Sequence, residues 1–184
     1  MDRQQALDLL HNHLKSGNLR KHCLATEAIM RALAERLDEP VDLWGLAGLL
    51  HDLDYEQTVD QPSEHGLHAA DILTSSGLPP EVITAIKAHN AEALGLERKS
   101  TFDFALTCAE SITGLVIATA LVYPDKRLAS VKPKSILKRM KKKDFARRVN
   151  RDQIRLCEKI GVPLADFAEL SLRAMQGISE ELGL

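Results

Sequence analysis

The sequence predicts an all-α fold, a single-domain helical bundle over residues 1–184. Three observations carry this. Apolar residues recur at three- and four-residue spacing along most of the chain, and no segment alternates apolar and polar as a half-buried strand would. Only 7 prolines and 10 glycines interrupt 184 residues, which favours long helices over a sandwich or barrel. Hydrophobic residues reach 45% with only 4% aromatic, so a Leu, Ala, Ile and Val core large enough for one domain is available.

Taken in order, a polar first helix contains His11 and His13, both expected to face solvent. Asn18 can cap the next helix, whose apolar face runs Leu19, His22/Cys23, Thr26, Ile29/Met30, Leu33 and Leu37. Pro40 punctuates, and Val41 to Leu50 forms a helix that ends on His51-Asp52. Residues 54–62 read as a polar loop. Ser63 caps a helix running to Ser75-Ser76-Gly77, with Gly77 as its stop. Pro79-Pro80-Glu81 opens another, which places Val82, Ile86 and His89 on one face. Ser100 starts a long apolar helix. After Pro124 come a basic helical region, 132–151, and an amphipathic helix from Pro163 to Gly177.

The net charge of −2 neither selects nor excludes a nucleic-acid partner. The polar start Met1 to Gln5 has no apolar run, so no leader peptide is expected. Cys23, Cys108 and Cys157 are odd in number and lack a CxxC, as free thiols of a reducing cytoplasm would be. Phe104 to Val122 is nearly apolar, but Glu110 sits within it. A central carboxylate is expensive in lipid, so a buried core helix is expected and no membrane partner.

The chemistry concentrates in a few polar residues on apolar segments. An imidazole and a carboxylate side by side at the end of a buried run are costly unless the carboxylate is neutralised, and a divalent metal does that. His22 and His89 lie on apolar helix faces, and His65 opens a helix. Glu110 stands in the most apolar helix, which has no Lys or Arg from Phe102 to Tyr123 to pair with it. A shared metal centre inside the bundle explains all of them together. The bland reading of each histidine alone is a hydrogen-bonded core residue or a solvated one. His68, three residues after His65, is an alternative to it as ligand.

The order His22, His51-Asp52 and a later acid resembles the HD superfamily of metal-dependent phosphohydrolases, an all-α family. The resemblance covers roughly residues 18–123. His65 before Ala69-Ala70-Asp71-Ile72-Leu73, and His89 after Ala85-Ile86-Lys87-Ala88, resemble the second-metal ligands of the dinuclear subgroup. Glu110, in Cys108-Ala109-Glu110-Ser111, stands where that family usually has Asp. His51-Asp52-Leu53-Asp54-Tyr55-Glu56 departs from the commoner His-Asp-Ile-Gly-Lys form. The resemblance implies a first metal held by His22, His51, Asp52 and Glu110, and a second held by His65 and His89 with Asp52 bridging. One or two divalent ions are implied, from Fe, Mn, Zn, Ni, Co or Mg, with a transition metal favoured by the histidines. Asp54 or Glu56 would steer a water or take its proton, acting with Asp52 as the catalytic acids.

Ten of the chain's 24 lysines and arginines fall between 132 and 151, against one acid, Asp144. A solvated helix face accounts for such a run, and so does a phosphate-rich ligand held by Lys134, Ser135, Lys138 and Arg151. The low aromatic count removes stacking platforms for single strands, which disfavours nucleic acid. The resemblance therefore implies hydrolysis of a phosphate mono- or diester in a nucleotide or other small phosphorylated metabolite. A di-iron oxygenase of the HD type and a non-catalytic metal-containing binding module are the alternatives. The sequence leaves room for a homodimer.

Overall fold

The computed structural model describes residues 1–184 and contains helices without strands. Twelve α-helices follow one another: α1 (Arg3–His13), α2 (Gly17–Leu37), α3 (Val41–Leu50), α4 (Tyr55–Thr58), α5 (Leu67–Ser75), α6 (Pro80–His89), α7 (Ala91–Leu94), α8 (Thr101–Leu121), α9 (Pro133–Met140), α10 (Arg151–Ile154), α11 (Leu164–Gln176) and α12 (Ser179–Leu182). Two 3-10 segments, Leu128–Ser130 and Arg155–Ile160, join the last third together.

Local chemistry sets most of the boundaries. Asp2 and Gln5 form a reciprocal capping box at the start of α1, and Ser100 and Asp103 do the same for α8. Pro80 and Pro133 occupy first-turn positions, where a missing N–H costs nothing. The cap of α2 is Ser16 rather than Asn18, because the Ser16 side chain accepts from the Leu19 amide. Helix α5 starts at Leu67, not at Ser63. Gly66 turns the chain there at φ 88°, and an added Cβ would meet the Ile86 carbonyl at 3.3 Å. The basic stretch is helical only over α9 and α10; residues 141–149 form turns between them.

Helices α2 and α8 run through the centre. Helix α2 packs chiefly on α3, then on α8 and α11, while α8 also packs on α6 and on the segment 151–160. The close α2–α3 crossing depends on Gly48, whose Cβ position lies 2.9 Å from backbone atoms of Thr26 and Glu27. Trp44 of α3 stacks on Phe102 of α8 with centroids 5.0 Å apart. The apolar length of α8 is long enough to cross a membrane, but its neighbours cover most of it, including Leu106, Ile112, Leu115 and Val116, as expected of a core helix.

One buried ion-pair group supports the same crossing. Glu27 is 3% exposed and accepts from Arg3 at 2.6 Å and from Arg31 at 3.0 Å, so its charge is matched where α1, α2 and α3 meet. The three cysteines are buried and free.

Candidate metal centre

The start of α2, the end of α3, the starts of α4 and α5, the end of α6, the middle of α8 and the short helix α10 converge on a cavity of about 360 Å³, walled by Leu19, His22, Asp52, Tyr55, His65, His89, Asn90, Glu110 and Gln153. His51 lies completely buried behind that wall, its Nε2 3.2 Å from His22 Nε2. Two groups of potential ligands share one residue: His22, His51 and Asp52 form the first, and Asp52, His65 and His89 the second. The Nε2 atoms of His65 and His89 are 2.9 Å apart. Asp52 Oδ1 lies 3.5 Å from His51, 3.3 Å from His65 and 3.7 Å from His89, while its Oδ2 lies 3.6 Å from His22.

The fold orients each imidazole through its other nitrogen. The last carbonyls of a helix lack an intrahelical partner. His51, at the end of α3, turns its Nδ1 back onto the Gly48 carbonyl at 2.9 Å, and His89, at the end of α6, does the same to Ile86. His65 Nδ1 meets Asp54 at 2.8 Å. His22 Nδ1 meets Thr113 Oγ1 at 2.8 Å, and that hydroxyl already donates to the Glu110 carbonyl, so it can only accept from His22. Every Nδ1 therefore carries a proton, and every Nε2 turns inward.

Lone pairs facing one another at about 3 Å repel unless a cation lies between them. Four inward imidazole nitrogens around a buried carboxylate are the donor set of a borderline divalent ion, so the residues fit such a metal. In the metal-free protein a proton takes part of that role. Burial lowers the His65 pKa, but Asp52 and Asp54 on its two sides outweigh this and raise it to about 9. For His51 burial prevails over the attraction of Asp52, taking its pKa down to about 3, so it stays neutral. Burial would raise the Asp52 pKa, yet His51, His65 and His89 hold it well below the carboxylate range.

Glu110 reaches the wall from α8 but stands outside both tight groups. Its carboxylate takes a hydrogen bond from Ser111 at 2.6 Å, and burial pushes its pKa up against the pull of His22 and His89. Burial likewise raises the Cys23 thiol well above its usual value, which keeps it out of thiolate chemistry beside His22. His68 is nearly half exposed and pairs with Glu64, away from the cavity.

Several expectations are corrected here. Asp54 is fully buried, and its oxygens are taken by His65 and by the amides of Gly66 and Ala69, so it fixes the His65 ring and has no oxygen facing the cavity to steer a water. Glu56 accepts from the Lys15 and Ser16 amides at the start of α2 and lies outside the cavity wall. Arg151 spends its terminal nitrogens on the carbonyls of Lys142, Phe145, Ala146 and Val149, and so ties the turns of 141–149 together instead of binding phosphate. Lys134, Ser135 and Lys138 are not in the cavity wall, and Ser135 is bonded to Tyr123. Conversely, Leu19, Tyr55, Asn90 and Gln153 line the site without having been singled out as site residues. Asn90 could have been noticed as the neighbour of His89. Gln153 carries no local signal, because only tertiary packing brings α10 to α8.

The HD domain family model matches residues 19–123, more than half of the chain, and the chain belongs to that family. Members of the family are mostly metal-dependent phosphohydrolases. No curated protein and no solved structure matches the chain.

Proposed function

We propose that the protein is a metal-dependent phosphohydrolase with a two-ion centre that acts on a small phosphate ester. One observation carries this reading: Asp52 belongs to both ligand groups, with a histidine pair on either side. A carboxylate shared in this way suits two neighbouring divalent ions. In this reading His22, His51, Asp52 and Glu110 hold one ion, and Asp52, His65 and His89 hold the other. Such ions would supply positive charge to phosphoryl oxygens and acidify a water.

The chain's own contribution is orientation and enclosure. The Nδ1 partners fix the four imidazoles before any ligand arrives, so little ordering remains to be done on binding. Asn90, Tyr55 and Gln153 line the wall, and in this reading they would meet the organic part of the substrate.

Elemental analysis after saturation with manganese, iron or zinc tests the reading, together with a screen of phosphate esters. Two ions per chain are expected in the wild type and none in Asp52→Asn, with ester hydrolysis lost in that variant. Two ions without hydrolysis of any ester, or O₂ uptake by the iron form, would overturn the reading.

A further inference from the structure

Building on the phosphohydrolase reading, we propose that Gln153 is a specificity residue and that the substrate is a single-phosphate monoester of a hydroxyl-rich alcohol. Gln153 lies outside the family-matched segment, on α10, and brings its carboxamide to the cavity beside Glu110. Its orientation follows from its neighbours. Glu92 can only accept, so the Gln153 amide nitrogen faces it at 3.2 Å, and this alone sets the carboxamide; the carbonyl Oε1 lies 3.1 Å from Ser111 Oγ, whose single proton goes to Glu110 at 2.6 Å, and so keeps its capacity to accept. Arg98 locks Glu92 in turn with two contacts of 2.8 and 2.7 Å. The same Arg98 donates to Thr107 and to the His89 carbonyl, which ties this wall to the end of α6.

Asn90 presents the same sign of dipole. Its amide nitrogen is used by the carbonyls of Pro62 and His65, which leaves Oδ1 as its free polar atom. Away from the histidines the wall therefore offers the acceptor oxygens of Gln153 and Asn90 beside the Tyr55 hydroxyl, which donates or accepts, and substrate hydroxyl groups suit all three.

Charge separates one phosphate from several. No lysine or arginine lines the cavity, and its only carboxylates are Asp52 and Glu110. Two divalent ions against those two carboxylates leave a surplus of about two positive charges, which one monoester dianion cancels. Further phosphates would face carbonyl oxygens with no cation to receive them, an arrangement that discriminates against polyphosphates.

The full-length, manganese-loaded protein is assayed on the mono-, di- and triphosphate of one nucleoside and on p-nitrophenyl phosphate, whose leaving group lacks hydroxyls. The expected kcat/KM favours the monophosphate over the triphosphate by at least about tenfold. Gln153→Ala, and Gln153→Met as a variant of matching volume, should raise KM for the nucleoside monophosphate about fivefold, the value of one hydrogen bond. Their KM for p-nitrophenyl phosphate should move less. Calorimetry with a non-hydrolysable nucleoside phosphonate should show the same weakening without turnover. A preference for the triphosphate, or equal KM increases for both monoesters, would overturn the assignment while leaving the hydrolase reading intact. Cleavage of no ester and no phosphonate binding would overturn both.

Discussion

Asp54 holds His65 by its Nδ1 at 2.8 Å, while its second oxygen accepts the backbone amides of Gly66 and Ala69. One buried carboxylate thus starts α5 and aims a candidate ligand. Burial would raise the Asp54 pKa, but His65, Ala69 and Gly66 together lower it. In Asp54→Asn a carboxamide nitrogen must face either two amide N–H groups or the His65 N–H. The variant should bind the second metal about 10- to 100-fold more weakly, as other losses of a ligand's orienting partner do. Metal titration followed by calorimetry checks this, and unchanged affinity would remove Asp54 from the site.

The His65 proton makes a pH prediction. In the metal-free protein its pKa is about 9, above the unfolded value of about 6.5. Its contribution to stability is therefore fully present below about pH 6.5 and is lost as pH rises through 9, with an upper bound of ~3 kcal/mol. Thermal unfolding of the metal-free protein should show a falling Tm over that window, and His65→Ala should abolish the fall. A metal that displaces this proton should bind about tenfold more tightly per pH unit between pH 7 and 9. A flat metal affinity across that range would contradict the assignment.

The fold was legible because helix signals are local. The helices Val41–Leu50 and Pro80–His89 and the start after Ser100 follow from proline, caps and periodicity alone. That the histidines and Asp52 would converge was legible for a related reason: polar groups on apolar faces must be satisfied, and the fold gathers these into two adjoining groups able to hold a metal. Asp54 and Glu56 misled because a carboxylate next to a site in sequence has backbone amides within reach as well as water, and both found amides. The basic stretch misled differently. Its charge is real, but α9 packs on α8 and α11 away from the cavity, a placement no local pattern records.

Gly48 is the tightest point of the scaffold behind His51. A methyl group there would lie 2.9 Å from the backbone of Thr26 and Glu27, which cannot rotate away as a side chain could. Gly48→Ala should cost about 2 kcal/mol or more through forced separation of α2 and α3. Because His22 and His51 ride on those two helices, the first metal should weaken with it. Denaturant unfolding and metal titration of the same variant test the coupling; a loss of stability with unaltered metal affinity would show that the crossing does not set the ligand geometry.

Arg151 separates structure from substrate binding. Its guanidinium serves four carbonyls of the turns at 141–149, so Arg151→Ala leaves several of them without a donor. The expected loss is on the order of 2 kcal/mol in unfolding free energy. Below the lowered Tm, KM for a phosphate ester should stay within about twofold of wild type, since no Arg151 atom faces the cavity. A large rise in KM at unchanged Tm would restore the phosphate-binding role expected from the sequence.

Glu110 offers the most discriminating series. Its carboxyl has a raised pKa because burial in the wall outweighs the attraction of His22 and His89, and its hydrogen bond comes from Ser111. If Glu110 completes the first ion's shell, Glu110→Gln keeps the size and one acceptor but loses the charge that draws a cation. Metal affinity should then fall by at least about tenfold while the helical fold persists. Glu110→Asp keeps the charge and should retain the metal. Glu110→Leu removes a desolvated polar group, so the metal-free protein should become more stable. The same variant should lose most of the Tm increase that added metal gives the wild type, because a ligand bound only by the native state stabilises in proportion to its affinity. Thermal unfolding of wild type and Glu110→Leu, each with and without manganese, provides the comparison. Equal metal-induced shifts in the two proteins would place Glu110 in the cavity wall without a part in holding the ion.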